Sequence, residues 1–306
     1  WKYAFLKNWN IEFGGQSSYL MYEPNYNYLS TSATPAIGDK YNAFESALYI
    51  DNKISLLRGL QLQPSFRLTH FYNNGVNFIE PEPRINLSYS WNKTQSFNLN
   101  YMRVSQSSHL IFAQTELLKR EVWLPATSLL PPEISNQYSM SWNGSFAQGK
   151  FSAEANLYYK ELSNLVTLKE GYENMINITG LENKIETNGT GTAYGAEFMI
   201  RKNTGKWTGS LSYGWSYADR HFANINHGNA YEFDYNRPHS IALNVNRDLK
   251  NNWDMSMVWV FQSGIPYTPA LGKFYYLNTE TNETSLKIIY GTKNSERMVP
   301  YHRLDI

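Results

Sequence analysis

The sequence predicts an all-β protein whose strands form a transmembrane antiparallel β-barrel. Three observations lead to this fold class. Short polar turns are bracketed by aromatic residues, most strands have one apolar and one polar face, and the connections alternate between short and long. Sorting of the connections by length is typical of outer-membrane barrels, and soluble β-sandwiches have no reason to show it.

Short polar turns lie next to Trp or Phe at residues 7–8, 92–95, 147–150, 203–206 and 249–252. A second aromatic residue follows on the same strand face, as from Trp207 to Tyr217 and from Trp253 to Phe261. Eight to ten residues separate the two aromatics of each pair. At a rise of about 3.3 Å per residue in a strand tilted by about 40°, this separation spans about 20 to 25 Å across the membrane. This spacing predicts an apolar band with an aromatic border.

Alternation with a period of two predicts about twelve strands. Leu211, Tyr213 and Trp215, for example, alternate with serine and glycine. The predicted strands cover 9–22, 42–53, 60–72, 82–91, 95–106, 135–146, 150–161, 189–202, 206–218, 237–248 and 252–263, with a last one that begins at 301. Most exceed the roughly 5 to 6 residues of soluble strands and suit the roughly 9 to 11 of tilted membrane strands.

The long connections are predicted at 23–41, 73–82, 107–134, 162–188, 219–236 and 264–300. Most prolines lie in them, because proline cannot donate a ladder hydrogen bond, whereas Pro64 lies inside a predicted strand. No domain boundary is visible. We therefore expect a single partial barrel domain over residues 1–306.

Composition supports a membrane barrel and excludes other classes. The chain of 306 residues has 24 Tyr, 15 Phe and 9 Trp, whereas its 17% of charged residues lies below the usual share of about 25%. No apolar run reaches the roughly 18 residues of a membrane helix. A net charge of +1 without a basic stripe argues against nucleic-acid binding, and the absence of cysteine excludes disulfides and thiolate chemistry.

Several segments resemble the C-terminal part of TonB-dependent outer-membrane receptors. They are EPRINLSY at 82–89, YGAEF at 194–198, FDYNRPH at 233–239, SGIPYT at 263–268 and PYHRLDI at 300–306. WLPAT at 123–127, followed by PEISNQ at 132–137, resembles the branch whose full-length members carry a carboxypeptidase-regulatory-like domain before the plug. In FDYNRPH we expect Pro238 and Arg237 to anchor a strand start, and in SGIPYT we expect a turn.

The resemblance implies a 22-stranded barrel in the outer membrane of a Gram-negative bacterium, of which this chain supplies about twelve strands. It implies active import of a scarce nutrient, such as a metal chelate, a glycan or a peptide, with energy from the TonB complex. The plug, the TonB-contacting segment and the last strands are expected outside this sequence. The implied partners are outer-membrane lipid and lipopolysaccharide, TonB through the missing N-terminal region, a small nutrient ligand and a surface lipoprotein.

Candidate substrate-binding residues follow from the barrel geometry. Charged residues at inward positions would face the lumen, where they could pair with a plug or line a substrate path. These lumen candidates are Glu45, Arg67, Arg84, Glu154, Lys160 and Glu197. The long loops are rich in aromatic residues and Asn, which could stack on a ligand. The loop candidates are Trp123, Tyr172, His221 and Tyr231.

We predict no catalytic residue, no metal site and no cofactor. The acidic pairs Glu80 with Glu82 and Asp219 with Asp234 could be compared with glycosidase carboxylates, but nothing places them in an apolar pocket. His221 and His227 have a spacing that is weak for a metal site. Two alternatives to active import remain open: a passive outer-membrane porin or channel, and a soluble carbohydrate-binding β protein.

Overall fold

Antiparallel strands make up most of the computed structural model, which describes residues 2–6, 8–24, 40–114, 119–171, 181–249, 253–278 and 283–306. The first ten are β1 (Lys2–Leu6), β2 (Trp9–Tyr22), β3 (Tyr41–Leu57), β4 (Leu60–Asn73), β5 (Val76–Ser90), β6 (Gln95–Gln106), β7 (Ser108–Gln114), β8 (Lys119–Pro125), β9 (Glu133–Phe146) and β10 (Phe151–Leu168). The others are β11 (Ile185–Lys202), β12 (Trp207–Arg220), β13 (Tyr231–Glu232), β14 (His239–Asp248), β15 (Asp254–Gln262), β16 (Pro266–Tyr267), β17 (Ala270–Asn278), β18 (Glu283–Tyr290), β19 (Glu296–Arg297) and β20 (Tyr301–Asp305).

The main sheet has the order β1-β2-β3-β4-β5-β6-β9-β10-β11-β12-β14-β15-β20, and β13 adds to β12. Three small two-stranded sheets pair β7 with β8, β16 with β19 and β17 with β18. The described helices are two short 3-10 turns, Leu181–Lys184 and Asn226–Gly228. None of the described helices is long and apolar enough to cross a membrane.

The chain divides into two compact units. Unit 1 contains residues 1–143 and 158–191, and unit 2 contains residues 144–157 and 192–306. Each unit combines long sheet strands with several of the long connecting segments. The predicted all-β antiparallel architecture is confirmed, and eleven of the twelve predicted strands correspond to long strands of the main sheet, followed by β20.

In unit 1 the strand register gives the sheet an aromatic face and a polar face. Leu48 pairs with Leu68, and Phe66 pairs with both Ile50 and Pro83, so these side chains share one face. Apolar side chains of this face are exposed, namely Phe13, Tyr19, Phe44, Leu48, Phe66, Leu68, Ile79 and Ile85. The polar face carries the charged residues of β3, β4 and β5.

Unit 2 shows the same division. Leu211, Leu243 and Trp259 form one row across β12, β14 and β15, and Tyr213 pairs with Ile241 in the next row. The opposite face carries mainly Ser, Gly and Asn. Trp253 is 72% exposed and Met255 is 39% exposed. These side chains therefore do not pack inside a closed protein core, as the interpretation of this face as lipid-facing requires.

One predicted loop is wrong. Residues 73–82 were expected to form a long connection, but β5 begins at Val76 and a two-residue turn of Asn74 and Gly75 joins it to β4. Asn74 and Gly75 have φ values of 46° and 85°, the left-handed pair that an Asn-Gly hairpin turn requires. Ladder pairing between β5 and β6 ends at Arg84 and Met102, next to Pro83, which has no N–H to donate.

The long segments also contain strands that sequence alternation did not predict. The hairpin of β7 and β8 lies within 107–134, and the hairpin of β17 and β18 lies within 264–300. Segment 162–188 is shorter than predicted because β10 extends to Leu168 and β11 begins at Ile185. In unit 1 the first hairpin is held by an apolar cluster, whose buried members are Ile111, Val122, Leu124, Leu130, Leu168 and Ile185.

Candidate functional site

The polar face of unit 1 is organised around Glu82, which is 3% exposed. Arg84 Nη2 donates to Glu82 Oε2 at 3.0 Å. Glu82 Oε1 accepts from Ser105 Oγ at 2.7 Å, from the Ser105 backbone N–H at 3.2 Å and from Thr69 Oγ1 at 3.3 Å. A buried carboxylate is stable only when it is paired and hydrogen-bonded, and Glu82 meets both conditions.

Two further arginines complete this cluster. Arg67 Nε lies 3.9 Å from Glu82 Oε2 and donates to Thr69 Oγ1 at 3.3 Å. Arg103 Nη2 donates to Glu80 Oε2 at 2.9 Å, and its Nη1 donates to the carbonyl oxygen of Pro81. The cluster therefore joins β4, β5 and β6 through side chains where ladder bonding between β5 and β6 has ended.

The structure brings two predicted lumen candidates, Arg67 and Arg84, together on Glu82. Glu45 lies on the same face, half-buried, with Phe71 as its neighbour on β4. Periodicity placed all three on the polar face. It did not identify Glu82 as the shared partner, because the number and direction of its contacts depend on the register of three strands.

Glu154 and Glu197 belong to unit 2 and are exposed side chains of β10 and β11. Glu197 is paired across the sheet with Gly214, which leaves open space beside it. Lys160, in unit 1, lies over the ring of Tyr158 with its Nζ 5.5 Å from the ring centre.

The loop candidates are placed differently from one another. Trp123 is on β8 and is 48% exposed, and Tyr172 lies outside the described residues. His221 is exposed, and its Nε2 donates to the carbonyl oxygen of Gly228 at 3.1 Å. Tyr231 was expected to offer an exposed ring, but it is 5% exposed and stacks on Phe222 with ring centres 6.5 Å apart. Tyr231 is therefore a packing residue of its loop.

A polar network in unit 2 was not predicted as such. Arg297 Nη1 donates to the carbonyl oxygens of Asn236 at 2.8 Å and Gly264 at 2.7 Å, and its Nη2 pairs with Glu232. Asn294 Nδ2 donates to the carbonyl oxygen of Glu232 at 2.8 Å. These bonds join three connecting segments, around 232–236, 264 and 294–297.

The network explains two of the sequence motifs. In FDYNRPH, Asn236 Nδ2 donates to Glu232 at 2.7 Å and its Oδ1 accepts from the Ala218 N–H at 3.1 Å, while Arg237 bonds Gln262. In SGIPYT, Pro266 and Tyr267 form the short strand β16, and no residue of the motif is part of the expected turn. A Cβ on Gly264 would lie 1.8 Å from the carbonyl oxygen of Met298, so only glycine fits beside this backbone.

The acidic residues compared with glycosidase carboxylates all have structural partners. Asp219 accepts from the N–H of Thr192 at 2.8 Å and from its hydroxyl at 3.0 Å. Asp234 accepts from Asn294 Nδ2 at 3.1 Å. No group of three or more His, Cys, Asp or Glu in the described part of the chain could hold a metal ion.

The family model described as TonB dependent receptor-like, beta-barrel matches residues 1–306. The chain belongs to the TonB-dependent receptor family. This match overturns the alternative of a soluble carbohydrate-binding protein. It confirms the predicted family, the transmembrane barrel class and the outer-membrane location. From the barrel class we interpret the aromatic face of each unit as the lipid-facing wall and the polar face as the lumen wall.

Several solved structures have the same fold, and three of them illustrate the similarity. The ferripyoverdine receptor of Pseudomonas aeruginosa, bound to ferripyoverdine, is 12% identical with a TM-score of 0.60, over 99% of this chain and 40% of that chain. The FrpB iron transporter from Neisseria meningitidis is 10% identical with a TM-score of 0.62, over 99% and 45%.

The alcaligin outer-membrane receptor FauA from Bordetella pertussis is 15% identical with a TM-score of 0.52, over 94% of this chain and 50% of that chain. This chain thus spans at most half the length of these three receptors. No curated protein matches the chain.

Proposed function

We propose that this chain is the greater part of the barrel of an active importer that carries a scarce nutrient across the outer membrane. The match of residues 1–306 to the receptor barrel supports this function. The TonB complex would supply the energy through the N-terminal plug region, and no bond in the substrate would be broken. The protein would therefore act as a transporter and not as an enzyme.

The substrate class to test first is a ferric chelate, because the structural neighbours include a ferripyoverdine receptor and an iron transporter. Glycans and peptides are the other classes that a loop region rich in aromatic residues and Asn suits. Trp123 and His221 are exposed and could contact such a ligand. A surface lipoprotein remains a proposed partner.

In the lumen, we assign different roles to the two groups of charged residues. Arg67 and Arg84 are bound to a buried carboxylate, so they would keep the wall rigid where the plug passes. Glu154 and Glu197 are exposed, so they would contact the plug or the substrate. Glu45, half-buried, belongs with the first group.

Uptake by whole cells tests the proposed function. Cells that carry only the intact receptor as their route for iron should accumulate a radioactive ferric chelate, and a protonophore or loss of TonB should abolish accumulation. Uptake that persists after both treatments would identify a passive channel. Growth on a panel of ferric chelates, glycans and peptides as sole sources would then define the substrate class.

The lumen assignment is tested by Glu154→Gln combined with Glu197→Gln. Neutralising both exposed carboxylates should lower the uptake rate while the barrel remains folded. Ser152→Ala combined with Ser212→Ala changes the same wall without changing charge and serves as the control. Equal uptake by the two double variants and the wild type would contradict a role for these glutamates.

A further inference from the structure

A depression of about 500 Å³ interrupts the lipid-facing wall of unit 1. It lies over Gly15, which has no side chain to fill the space between its neighbours. Leu48, Leu68 and Ile79 provide apolar lining, while Ser17, Ser46 and His70 provide polar atoms. Hydroxyl and imidazole groups on a hydrocarbon-facing surface are costly unless they find hydrogen-bond partners.

The strand register arranges this wall in three layers. Tyr19, Phe44 and Tyr72 form an aromatic row, and the rings of Tyr19 and Phe44 are 5.0 Å apart. The next row toward the Arg58-Gly59 turn contains Ser17, Ser46, His70 and Ile79, and the row after it contains Gly15, Leu48, Leu68 and Pro81. Successive rows are about 7 Å apart along the strands.

These layers match the layers of one membrane leaflet. Aromatic belts lie at the level of the lipid headgroups. The polar row that contains Ser17 lies closer to the middle of the bilayer, at the depth of the carbonyl groups that link acyl chains to a headgroup. The aliphatic row that contains Gly15 lies deeper, at the depth of the acyl chains. The gap over Gly15 is in the aliphatic row, where an acyl chain would fill it.

The polar row has a hydroxyl proton that can be donated to a lipid carbonyl. Ser17 Oγ and Ser46 Oγ are 2.9 Å apart, and one hydroxyl proton makes that bond, which leaves the other proton for a ligand. His70 Nε2 is 2.9 Å from Asn77 Oδ1, an acceptor, so the proton resides on Nε2. The remaining His70 nitrogen, Nδ1, can accept a hydrogen bond from an amide or hydroxyl of the ligand.

We propose that this depression, the Gly15 notch, binds one acyl chain of lipid A, the acylated glycolipid of the outer leaflet. The chain lies on Leu48, Leu68 and Ile79, and its linkage carbonyl accepts the free hydroxyl proton of the Ser17–Ser46 pair. The aromatic row lies toward the 23–40 segment, and long loops of such barrels face the cell exterior, so the layer is that of the outer leaflet. The site rests on membership of the barrel family and is independent of what the receptor imports.

The experiment is native mass spectrometry of the intact receptor, delipidated in detergent and titrated with purified lipid A. Gly15→Leu fills the notch; a Cβ there meets Leu48 Cδ2 at 3.2 Å, the tip of a side chain that can move. The wild type should retain one lipid A molecule more than Gly15→Leu. Ala153→Leu, which adds the same side chain to an outward position of β10, should bind as the wild type does.

A second variant tests the polar row. Ser17→Ala combined with Ser46→Ala keeps the notch open and removes the donor, and should weaken lipid A binding about two- to tenfold, the value of one hydrogen bond. Equal lipid A retention by the wild type and Gly15→Leu would overturn the proposal. Equal retention of a phosphatidylglycerol at the same site would also overturn it, because the notch would then be a general groove for acyl chains.

Discussion

In unit 1 the long connecting segments pack on a large apolar cluster, whereas in unit 2 a network of hydrogen bonds around Arg297 joins them beside the smaller stack of Phe222 on Tyr231. Leu130, Ile111 and Leu124 of unit 1 are almost fully buried against one another and their neighbours. Unit 2 instead converges on Arg297, which binds two carbonyl oxygens and Glu232. The stability of an apolar cluster depends on how well side-chain volume fills the space, whereas the stability of an arginine network depends on charge and on the direction of each hydrogen bond. The two units should therefore respond differently to substitutions and to salt.

The lumen walls differ as well. Unit 1 places Arg67, Arg84 and Arg103 around two glutamates, whereas the wall of unit 2 is mainly Ser, Gly and Asn with an exposed Glu197. Charge that is buried must be paired, and charge that is exposed to lumen water is free to meet a moving partner. This contrast separates a rigid part of the wall from a part suited to transient contact.

The largest expected effect comes from Glu82→Ala. Removing the buried carboxylate leaves the Ser105 N–H and hydroxyl without their acceptor and Arg84 without its pair, which should destabilise unit 1 by about 3 to 5 kcal/mol. Glu197→Ala in unit 2 is the control, with little effect expected. Denaturant unfolding of the receptor in detergent measures both, and similar losses would refute the contrast between the walls.

Leu130→Ala tests the apolar packing of the unit 1 loops. Leu130 is 0% exposed, so truncation creates a cavity and should cost about 2 to 5 kcal/mol. Its neighbour Leu129 is 56% exposed, and Leu129→Ala should change stability by less than about 0.5 kcal/mol. Hydrogen exchange of the β7 amides reports the local loss. Equal exchange in the two variants would show that the cluster does not hold the hairpin.

Leu243→Arg tests the lipid-facing assignment in unit 2. Leu243 lies between Leu211 and Trp259 on the aromatic face, so an arginine near mid-bilayer should cost about 2 to 4 kcal/mol. Asn244→Arg, on the opposite face, should be milder because the charge enters lumen water. The stability of both variants is measured by folding them into lipid vesicles and following unfolding at increasing urea concentration. If they unfold at the same urea concentration, the assignment of faces is wrong.

Arg297→Met tests the polar network. Losing charge-assisted bonds to Glu232 and two carbonyl oxygens should cost about 1 to 3 kcal/mol, since Arg297 is partly exposed. Raising salt should loosen the wild-type loops of unit 2 and leave those of unit 1 unchanged. Arg303→Met, which removes an exposed pair with Asp305, is the control. Salt-independent exchange throughout would contradict the proposed difference.

Gly75→Ala has the smallest expected effect. Gly75 has a φ of 85° but no atom within 4 Å of an added Cβ, so only backbone strain of about 1 kcal/mol is expected. Gly214→Ala in unit 2 also has open space and has no positive φ, so it should be close to neutral. Thermal unfolding of both compares a turn glycine with a strand glycine. A larger loss for Gly214→Ala would contradict this account.

The period-two pattern predicted the strands well because successive side chains of a strand point to opposite faces of the sheet. Strands 9–22 and 95–106 were predicted with the bounds observed for β2 and β6. The loop predicted at 73–82 was wrong, although Asn74-Gly75 carries a strong sequence signal for a two-residue hairpin turn. The β17–β18 hairpin was missed because its apolar residues do not alternate; Phe274, Tyr275 and Tyr276 are consecutive and all exposed.

The candidate functional residues also show what sequence could predict and what required the structure. Arg67 and Arg84 were placed on the lumen face from sequence, but their shared partner Glu82 depended on the register of β4 with β5. Tyr231 was judged a ligand candidate from its residue type, and only packing against Phe222 revealed that it is buried. Composition identifies aromatic loops, but it does not distinguish a ring that supports a loop from a ring that is exposed.

The sequence by itself determined which face of each strand meets lipid and which meets the lumen, because side-chain direction has a local period of two. The tertiary structure alone decided which polar groups meet. Arg297 and Glu232 are 65 residues apart in the chain, and Ser105 and Glu82 are 23 apart. Such contacts depend on strand register and loop paths, which many distant residues set together.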